Sequence, residues 1–344
     1  MHDDGYPVKV LVASAMYPSE KRPAFGTFVR TQVESLRGIG VDAEPFVLTG
    51  RNRKLMYLHA VPELRRRLRR NGVDVVHAHY SYVGLVARTQ FSVPVVLTFH
   101  GDDLLGTVGP DGRTTGVSRL IVAAGKLLAR HVDAVIVQNE VMAERLHHNP
   151  RVHVIPHEVD LELFKPTDGD VARRELGLDP DRPYVLFASP PQIAVKRFPL
   201  AEAAVTLLRG RDPSVELLVV FRETQDRLAL YMSACDALVF PSFQEGSPNI
   251  VKQAMACNLP IVATDVGDVA QVLAGTDGCF VVEPEPQAFA DRLEEIVRRR
   301  ARTDGRERVR HLDSPVVASR VLSVYEQVVE RARAPRTRLR RAEA

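Results

Sequence analysis

Apolar runs four to seven residues long, rich in Val and Ile and not alternating with polar residues, recur through the whole chain. They are "VKVLVAS" (8–14), "DVVHAH" (74–79), "PVVLTFH" (94–100), "DAVIVQN" (133–139) and "VHVIPH" (152–157), then "YVLFAS" (184–189), "VELLVVF" (215–221), "DALVFPS" (236–242), "PIVATDV" (260–266) and "CFVVEP" (279–284). A strand with one face in water alternates; a strand buried on both faces does not, which is how parallel sheets covered by helices on both sides read. Helical patterns such as "TFVRTQVESLRGIG" and "FPLAEAAVTLLRG" lie between the runs, the latter closed by a glycine at the C′ position. Strand–helix alternation in both halves predicts an α/β protein of two Rossmann-like, doubly wound domains facing across a crevice. A chain of 344 residues that is 45% apolar can bury two such cores. The break falls in "IPHEVDLELFKPTDGD" (155–170), where Pro156, Pro166 and Gly169 interrupt any periodicity. The expected organisation is a first domain over 1–157, a second over 158–334 that ends in the amphipathic helix "SPVVASRVLSVYEQVVERAR" (314–333), and an unstructured basic tail over 335–344.

A formal charge of +3 does not select a polyanionic partner, and no nucleic-acid partner is expected. Arginines cluster in "RNRK" (51–54), "LRRRLRR" (64–70), "RRRAR" (298–302) and the C-terminal segment. Solvated helix faces account for them, and so does contact with an anionic membrane surface. The three cysteines, Cys235, Cys257 and Cys279, have no close-pair spacing, which implies a reduced compartment without disulfides. The N-terminal segment carries acids early and lacks a long apolar core, so it does not read as a signal peptide, and no run reaches the length of a membrane span. The expectation is a cytoplasmic protein, with peripheral contact at the inner membrane face left open.

In doubly wound sheets ligands bind outside the C-terminal ends of the strands, so the loops that follow strands carry the information. In "ALVFPSFQEGSPNIVKQAMACNLPIVATDVGDV" (237–269) a strand is followed by Glu245 and Gly246, then by Ser247 as an expected N-cap with Pro248 at N1 and Asn249 behind it. The helix is expected to set Ile250, Val251, Ala254 and Met255 against the sheet and to end at Asn258 in a left-handed conformation. Its free N–H groups favour an anion such as a diphosphate, although ordinary capping explains the same residues. Lys196 and Arg197 stand between another strand and a helix start, where two cations repel the helix N-terminus unless an anion lies between them. His100, before Gly101, is placed to offer an imidazole or a carbonyl to a polyol, or to be a satisfied core histidine. Asp102 and Asp103 have no His, Cys or acid spacing around them to complete a metal site, so no metal is expected. Gly26 follows the first strand without a G-x-G-x-x-G pattern, which argues against a dinucleotide site. His77 and His79 are expected on opposite sides of one strand end, at least one of them serving packing.

Together, "YPSEKRPAFGTFV", "DVVHAHY", "VVLTFHGDDL", "VHVIPHEVDLELFKP", "VKRFPLAEAAV" and above all "CDALVFPSFQEGSPNIVKQAMACNLPIVATDVGDV" resemble the retaining glycosyltransferases of the family-4 type, with the GT-B fold, over nearly the whole chain to about residue 300. The resemblance implies transfer of a sugar from a nucleotide-sugar donor, held mainly by the second domain, to a hydroxyl acceptor on the first, with no metal or cofactor. Such chemistry serves polysaccharide, glycoconjugate or natural-product synthesis. At the matching positions it implies that Gly26 approaches the donor phosphate, His100 contacts the sugar, Lys196 neutralises the diphosphate and Glu245 reads sugar hydroxyls. Arg197, Gly246, Ser247, Pro248, Asn249 and Gln253 fall on the donor side, His79 and Asp102 on the acceptor side. This chain departs from the family pattern at four places. Gln253 stands where a glutamate usually holds the ribose, Pro191 where an arginine is usual, and His157-Glu158 where Asn-Gly is usual. The segment from Phe221 to Ala229 is short, a compression shared with enzymes of teichuronic-acid-type synthesis, which makes Arg222 and Glu223 candidates for the base pocket. The departures at 191 and 253 leave a second possibility, a GT-B protein with lost or altered catalysis: a nucleotide-sugar binder, a pseudo-glycosyltransferase or an epimerase.

Overall fold

A computed structural model of the chain describes residues 7–49, 55–107, 109, 116–147 and 149–342, with the backbone alone described at 71 and 335–342. The arginine-rich stretch at 51–54 therefore lies outside the described residues. The first sheet holds β1 (Lys9–Ser14), β2 (Asp42–Val47), β3 (Val75–His79), β4 (Val95–Thr98), β5 (Ala134–Val137) and β6 (Val152–Val154). The second holds β7 (Tyr184–Phe187), β8 (Glu216–Val219), β9 (Ala237–Phe240), β10 (Ile261–Ala263) and β11 (Cys279–Val281). The strand orders are β2-β1-β3-β4-β5-β6 and β11-β10-β9-β7-β8, and every neighbouring pair is parallel. Each sheet is sandwiched between apolar layers: Leu11, Val76, Leu97 and Val135 face one cluster, while Val10, Val75, Val96 and Ile136 face another. The second sheet splits in the same way, with Leu186, Leu238 and Ile261 on one side and Val185, Val239 and Val262 on the other. This is the α/β fold of two doubly wound domains expected from the uninterrupted apolar runs.

β2 is the one strand that the apolar-run pattern misses. Its sequence, DAEPFV, buries only Ala43 and Phe46 and contains Pro45. It lies at the edge of its sheet, where a missing N–H costs no ladder bond and one side stays wet. At the other strands the apolar runs overshoot: β4 ends at Thr98 and β9 at Phe240, so Phe99-His100 and Pro241-Ser242 already belong to the crevice loops. The helix Phe198–Arg209 ends differently from expectation, since Gly210 keeps a right-handed φ of −62°. Asn258 does adopt the left-handed conformation, with φ 55°.

The helix Ser314–Ala342 stays helical into the segment expected to be unstructured. It follows the second domain in the chain, yet Val317, Val321, Val324, Tyr325 and Val328 are buried against β1, β3, β4 and the helix Thr27–Gly38 of the first. Tyr325 is fully buried, and its hydroxyl lies 2.6 Å from His77 Nδ1, while His77 Nε2 lies 2.6 Å from Thr98 Oγ1. The last helix thus pins the middle of β3 from beneath. The three cysteines are unpaired. No helix among the described residues is long and apolar enough to cross a membrane.

Tyr325→Phe keeps the volume but leaves a buried imidazole nitrogen unpaired. It is expected to cost about 1–3 kcal/mol in urea unfolding; an unchanged midpoint would show that the His77 contact contributes nothing.

Candidate active site

In both sheets the chain turns outward on opposite sides of one strand boundary, between β1 and β3 and between β7 and β9. These are the switch points at which doubly wound sheets leave a crevice for ligands. The loops after β3, β4, β7 and β9 converge on a cavity of about 320 Å³, whose lining includes Phe28, Tyr80, His100, His157, Lys196 and Glu245. Ala188 and Ser189 also line a second cavity, of about 650 Å³, so the two adjoin. The structure therefore brings Lys196, Glu245, His100, Ser247, Pro248 and Asn249 into one chamber, and sets Arg222 and Glu223 in its neighbour.

On the second-domain wall Lys196 Nζ donates to Glu245 Oε1 at 2.5 Å. Their side chains are only 24% and 16% exposed, so the pair is poorly screened by solvent. Arg197 takes a left-handed φ of 50° and lays its guanidinium over Phe243 at 4.6 Å. The helix begins at Asn249, and Asn249 Oδ1, buried in the cavity wall, has no hydrogen-bond partner among the described residues. It is an acceptor held ready for a ligand hydroxyl or amine.

Ser247 is not the cap expected from the sequence. Pro248 occupies the N-cap position without a side-chain bond. Ser247 Oγ instead donates to Asp268 Oδ2 at 2.6 Å and accepts from Lys252. Lys252 is fully buried; its ammonium also donates to the carbonyl of His157 at 3.1 Å and lies 3.4 Å from the Asp268 carboxylate. Burial pushes its pKa down, and Asp268 opposes that shift. Val251, Ala254 and Met255 face the sheet as expected, whereas Ile250 is only half-buried. Gln253 donates from Nε2 to Gln225 Oε1 at 3.0 Å, forming a neutral amide pair beside the second cavity, which Gln225 lines. There Glu223 is already paired with Arg227 at 3.0 Å, and Arg222 holds a positive φ of 66°.

The first-domain wall presents His100 and His157 with Phe28 and Tyr80, whereas His79 and His77 are buried and do not line the cavity. His77 and His79 do not lie on opposite sides of β3: their rings are 4.4 Å apart on one face, as residues two apart in a strand must be. His79 Nδ1 lies 2.9 Å from His100 Nε2, and His100 Nδ1 lies 3.2 Å from His157 Nε2. Both ring nitrogens of His100 are thus engaged, and its ring also lies against those of Phe28 and Tyr80, at 4.8 and 4.5 Å between centroids. Burial holds His77 and His100 well below the usual imidazole range and lowers His79 to about 3; burial, then Lys252, lowers His157 to about 3. All are neutral at physiological pH. Asp103 fixes the loop, accepting from the backbone N–H groups of His100 and Ser81 at 3.0 Å each, and burial raises its pKa to about 6. Asp102 is within reach of the ion pair: loss of bulk water raises its pKa, Glu245 raises it further and Lys196 opposes. Gly26 has a φ of 73°, and a Cβ there would stand 2.5 Å from the Met16 carbonyl carbon, so only glycine fits. Gly246 sits at the floor of the crevice, where its carbonyl accepts from Asn139 Nδ2 of the first domain at 2.5 Å.

His157, Lys252, Gln225, Asp103 and Asn139 were not among the residues expected from the sequence to shape the site. Lys252 was the most legible of them, a lysine next to Val251 and three positions before Met255 on the inward side of its helix. Glu158, beside His157, is buried; its Oε2 accepts from Ser35 Oγ at 3.0 Å, and burial raises its pKa to about 8. Among the described residues no group of three or more His, Cys, Asp or Glu side chains is arranged to hold a metal ion.

The titrations oppose one another in a way that stability measurements can read. The four imidazoles have depressed folded pKa values, so the unfolded chain takes up protons first and stability is lost as pH falls below about 6.5. Asp103 and Glu158 have raised values, and their contribution is lost as pH rises, through about 6 and about 8 respectively. Four groups outweigh two in acid. Stability is therefore expected to peak near neutrality and to fall by about 2–3 kcal/mol per pH unit near pH 5.5; a flat profile between pH 5 and 7 would contradict the neutral array. Lys252→Met should cost about 3–5 kcal/mol by leaving Asp268 buried without its cation, and Lys252→Met combined with Asp268→Asn should recover part of the loss in denaturant titrations.

Residues 1–163 match the family model described as Glycosyltransferase Family 4, and residues 198–299 match that of glycosyl transferases group 1. The D-inositol 3-phosphate glycosyltransferase of Pseudarthrobacter chlorophenolicus is 29% identical over 287 residues, covering 69% of this chain and 65% of its own length. That of Catenulispora acidiphila is 31% identical over 273 residues, covering 65% and 64%. The chain thus spans just under two thirds of the length of these relatives. Among solved structures, sucrose-phosphate synthase from Thermosynechococcus elongatus superposes with a TM-score of 0.75 at 20% identity, over 93% of this chain and 99% of that one. HepE of Anabaena in complex with UDP gives 0.62 at 17% identity, over 95% and 100%. At these identities the superpositions speak for the fold. With the two models covering most of the chain and that fold shared almost end to end, the chain belongs to the glycosyltransferases of the family-4 type with the GT-B fold.

Proposed function

We propose that this protein transfers a sugar from a nucleotide-sugar donor to an alcohol acceptor, with retention of anomeric configuration and without a metal ion. The observation that carries this reading is the Lys196–Glu245 pair, set against the start of the helix Asn249–Ala256 and opposite a wall of neutral imidazoles. Negative charge develops on the leaving diphosphate as the C1–O bond breaks. Lys196 and the free N–H groups at the helix start stabilise it in a site with little competing water. A diphosphate drawing Lys196 frees Glu245 to accept hydrogen bonds from sugar hydroxyls, and Asn249 Oδ1 offers another acceptor. The acceptor oxygen bonds to C1 on the face from which the phosphate leaves, and its proton passes to a departing phosphate oxygen. His79 and Asp102 flank the acceptor side. His100 offers the sugar its carbonyl while its ring stays locked between His79 and His157.

The adjoining cavity of about 650 Å³, with Arg222, Phe25 and Phe221 in its lining, has the size and mixed character for a nucleoside. The Gln253–Gln225 amides can hydrogen-bond a ribose diol without charge assistance, which weakens donor binding relative to a carboxylate. HepE is described in complex with UDP-glucose, which makes uridine diphosphate sugars the first donors to test. The neutral amide pair is also what favours the second reading, a donor binder with lost or altered catalysis.

Hydrolysis of UDP-, GDP-, ADP- and dTDP-sugars, measured with and without EDTA and beside nucleotide-induced thermal shifts, separates the two. A metal-independent transferase should hydrolyse one donor slowly and ignore EDTA; a thermal shift with no hydrolysis supports the binder. Lys196→Ala and Glu245→Ala should each reduce turnover by roughly a hundredfold or more without changing the fold. If both keep full activity, the assignment of this site is wrong.

A further inference from the structure

The helix Gly116–Ala129 is apolar on the side that faces water. Ser118, Gly125, Leu128 and Ala129 are its buried residues, yet Val117, Leu120 and Leu127 are 72%, 72% and 58% exposed. Together with exposed Ala124 they follow the spacing 117, 120, 124, 127, one line along the outer surface. A helix apolar on both sides normally has something covering its second side.

The neighbouring helices continue the pattern. Ser81–Ala87 packs between Gly116–Ala129 and Leu55–Asn71, and it exposes Tyr82 and Leu85; Leu55–Asn71 exposes Leu55 and Leu58. In chain order each of these helices follows a strand of the first sheet, so all three belong to the first domain. Farther along Leu55–Asn71, Arg65, Arg66, Arg69 and Arg70 are exposed and line a shallow groove with Val61 and Pro62. The three helices carry six arginines and one lysine against a single acid, Glu63, although the whole chain is nearly balanced at +3.

We propose that this face docks on an anionic lipid bilayer, with the leucines and Tyr82 entering the interface and the arginines meeting lipid phosphates. An apolar ridge bordered by cations fits such a surface. A second copy of the chain fits poorly, because a two-fold contact would set the arginine row against itself. The inference rests on exposure and charge and does not depend on the chemistry proposed for the crevice.

The test is co-sedimentation of the full chain with vesicles of phosphatidylcholine, alone or mixed with phosphatidylglycerol. Wild type should pellet with the mixed vesicles, less so with neutral ones, and salt should weaken the binding. Leu120→Asp with Leu127→Asp, and separately the glutamine replacement of Arg65, Arg66, Arg69 and Arg70, should each lower partitioning roughly tenfold or more, with unchanged circular dichroism and nucleotide thermal shift. No partitioning of wild type, or equal partitioning of wild type and variants, would overturn the proposal. So would sedimentation velocity without lipid showing a self-association that these same substitutions abolish. Loss of donor hydrolysis with vesicle binding intact would count against the crevice chemistry alone.

Discussion

A parallel strand buried on both faces leaves its residues only one place to do chemistry, the loop where the strand ends. Everything distinctive in this protein follows from that constraint acting twice. Both sheets reverse their winding beside their first strand, between β1 and β3 and between β7 and β9, and the loops released at the two points face each other. The ion pair Lys196–Glu245 comes from the second sheet, and the imidazoles at 79 and 100 come from the first. The helix Ser314–Ala342, returning to the first domain, is tied through Tyr325 to His77 in the middle of β3 and so supports that wall from below.

The electrostatics of the crevice are asymmetric. One wall carries charge: Lys196 with Glu245 at its surface, and behind them Lys252, fully buried with Asp268 and Ser247. The opposite wall carries histidines that burial keeps neutral. A neutral wall neither competes for an anion nor repels an alcohol. On the proposed reading, the charges that a leaving diphosphate meets are therefore those of the second domain.

Lys252 and His157 also connect the two halves. The ammonium holds the carbonyl of His157, whose ring packs parallel to that of His100 at 5.1 Å, while Asn139 holds the carbonyl of Gly246. The loop behind the donor side is thereby linked to the first domain through one residue of the connecting segment. Lys252 and its partners are polar groups taken out of water, and such groups are tolerated only where nearly every one is satisfied.

The sequence by itself determined the layer architecture, because non-alternating apolar runs admit few other arrangements, and it exposed Lys196, Glu245 and His100 because each stands in a loop directly after such a run. It missed β2, whose edge position lets it stay largely half-buried and hold Pro45. It also misjudged Ser247, since a serine before a helix reads as a cap whether or not something else claims its hydroxyl. Only the tertiary structure decided which distant groups meet: the ring of His157 with His100, Gln225 with Gln253, Lys252 with Asp268, and the last helix with the first domain. Local pattern encodes which side of an element is buried. It does not encode what lies on the other side of that burial, because contacts between residues tens or hundreds of positions apart depend on how the sheets and helices are stacked.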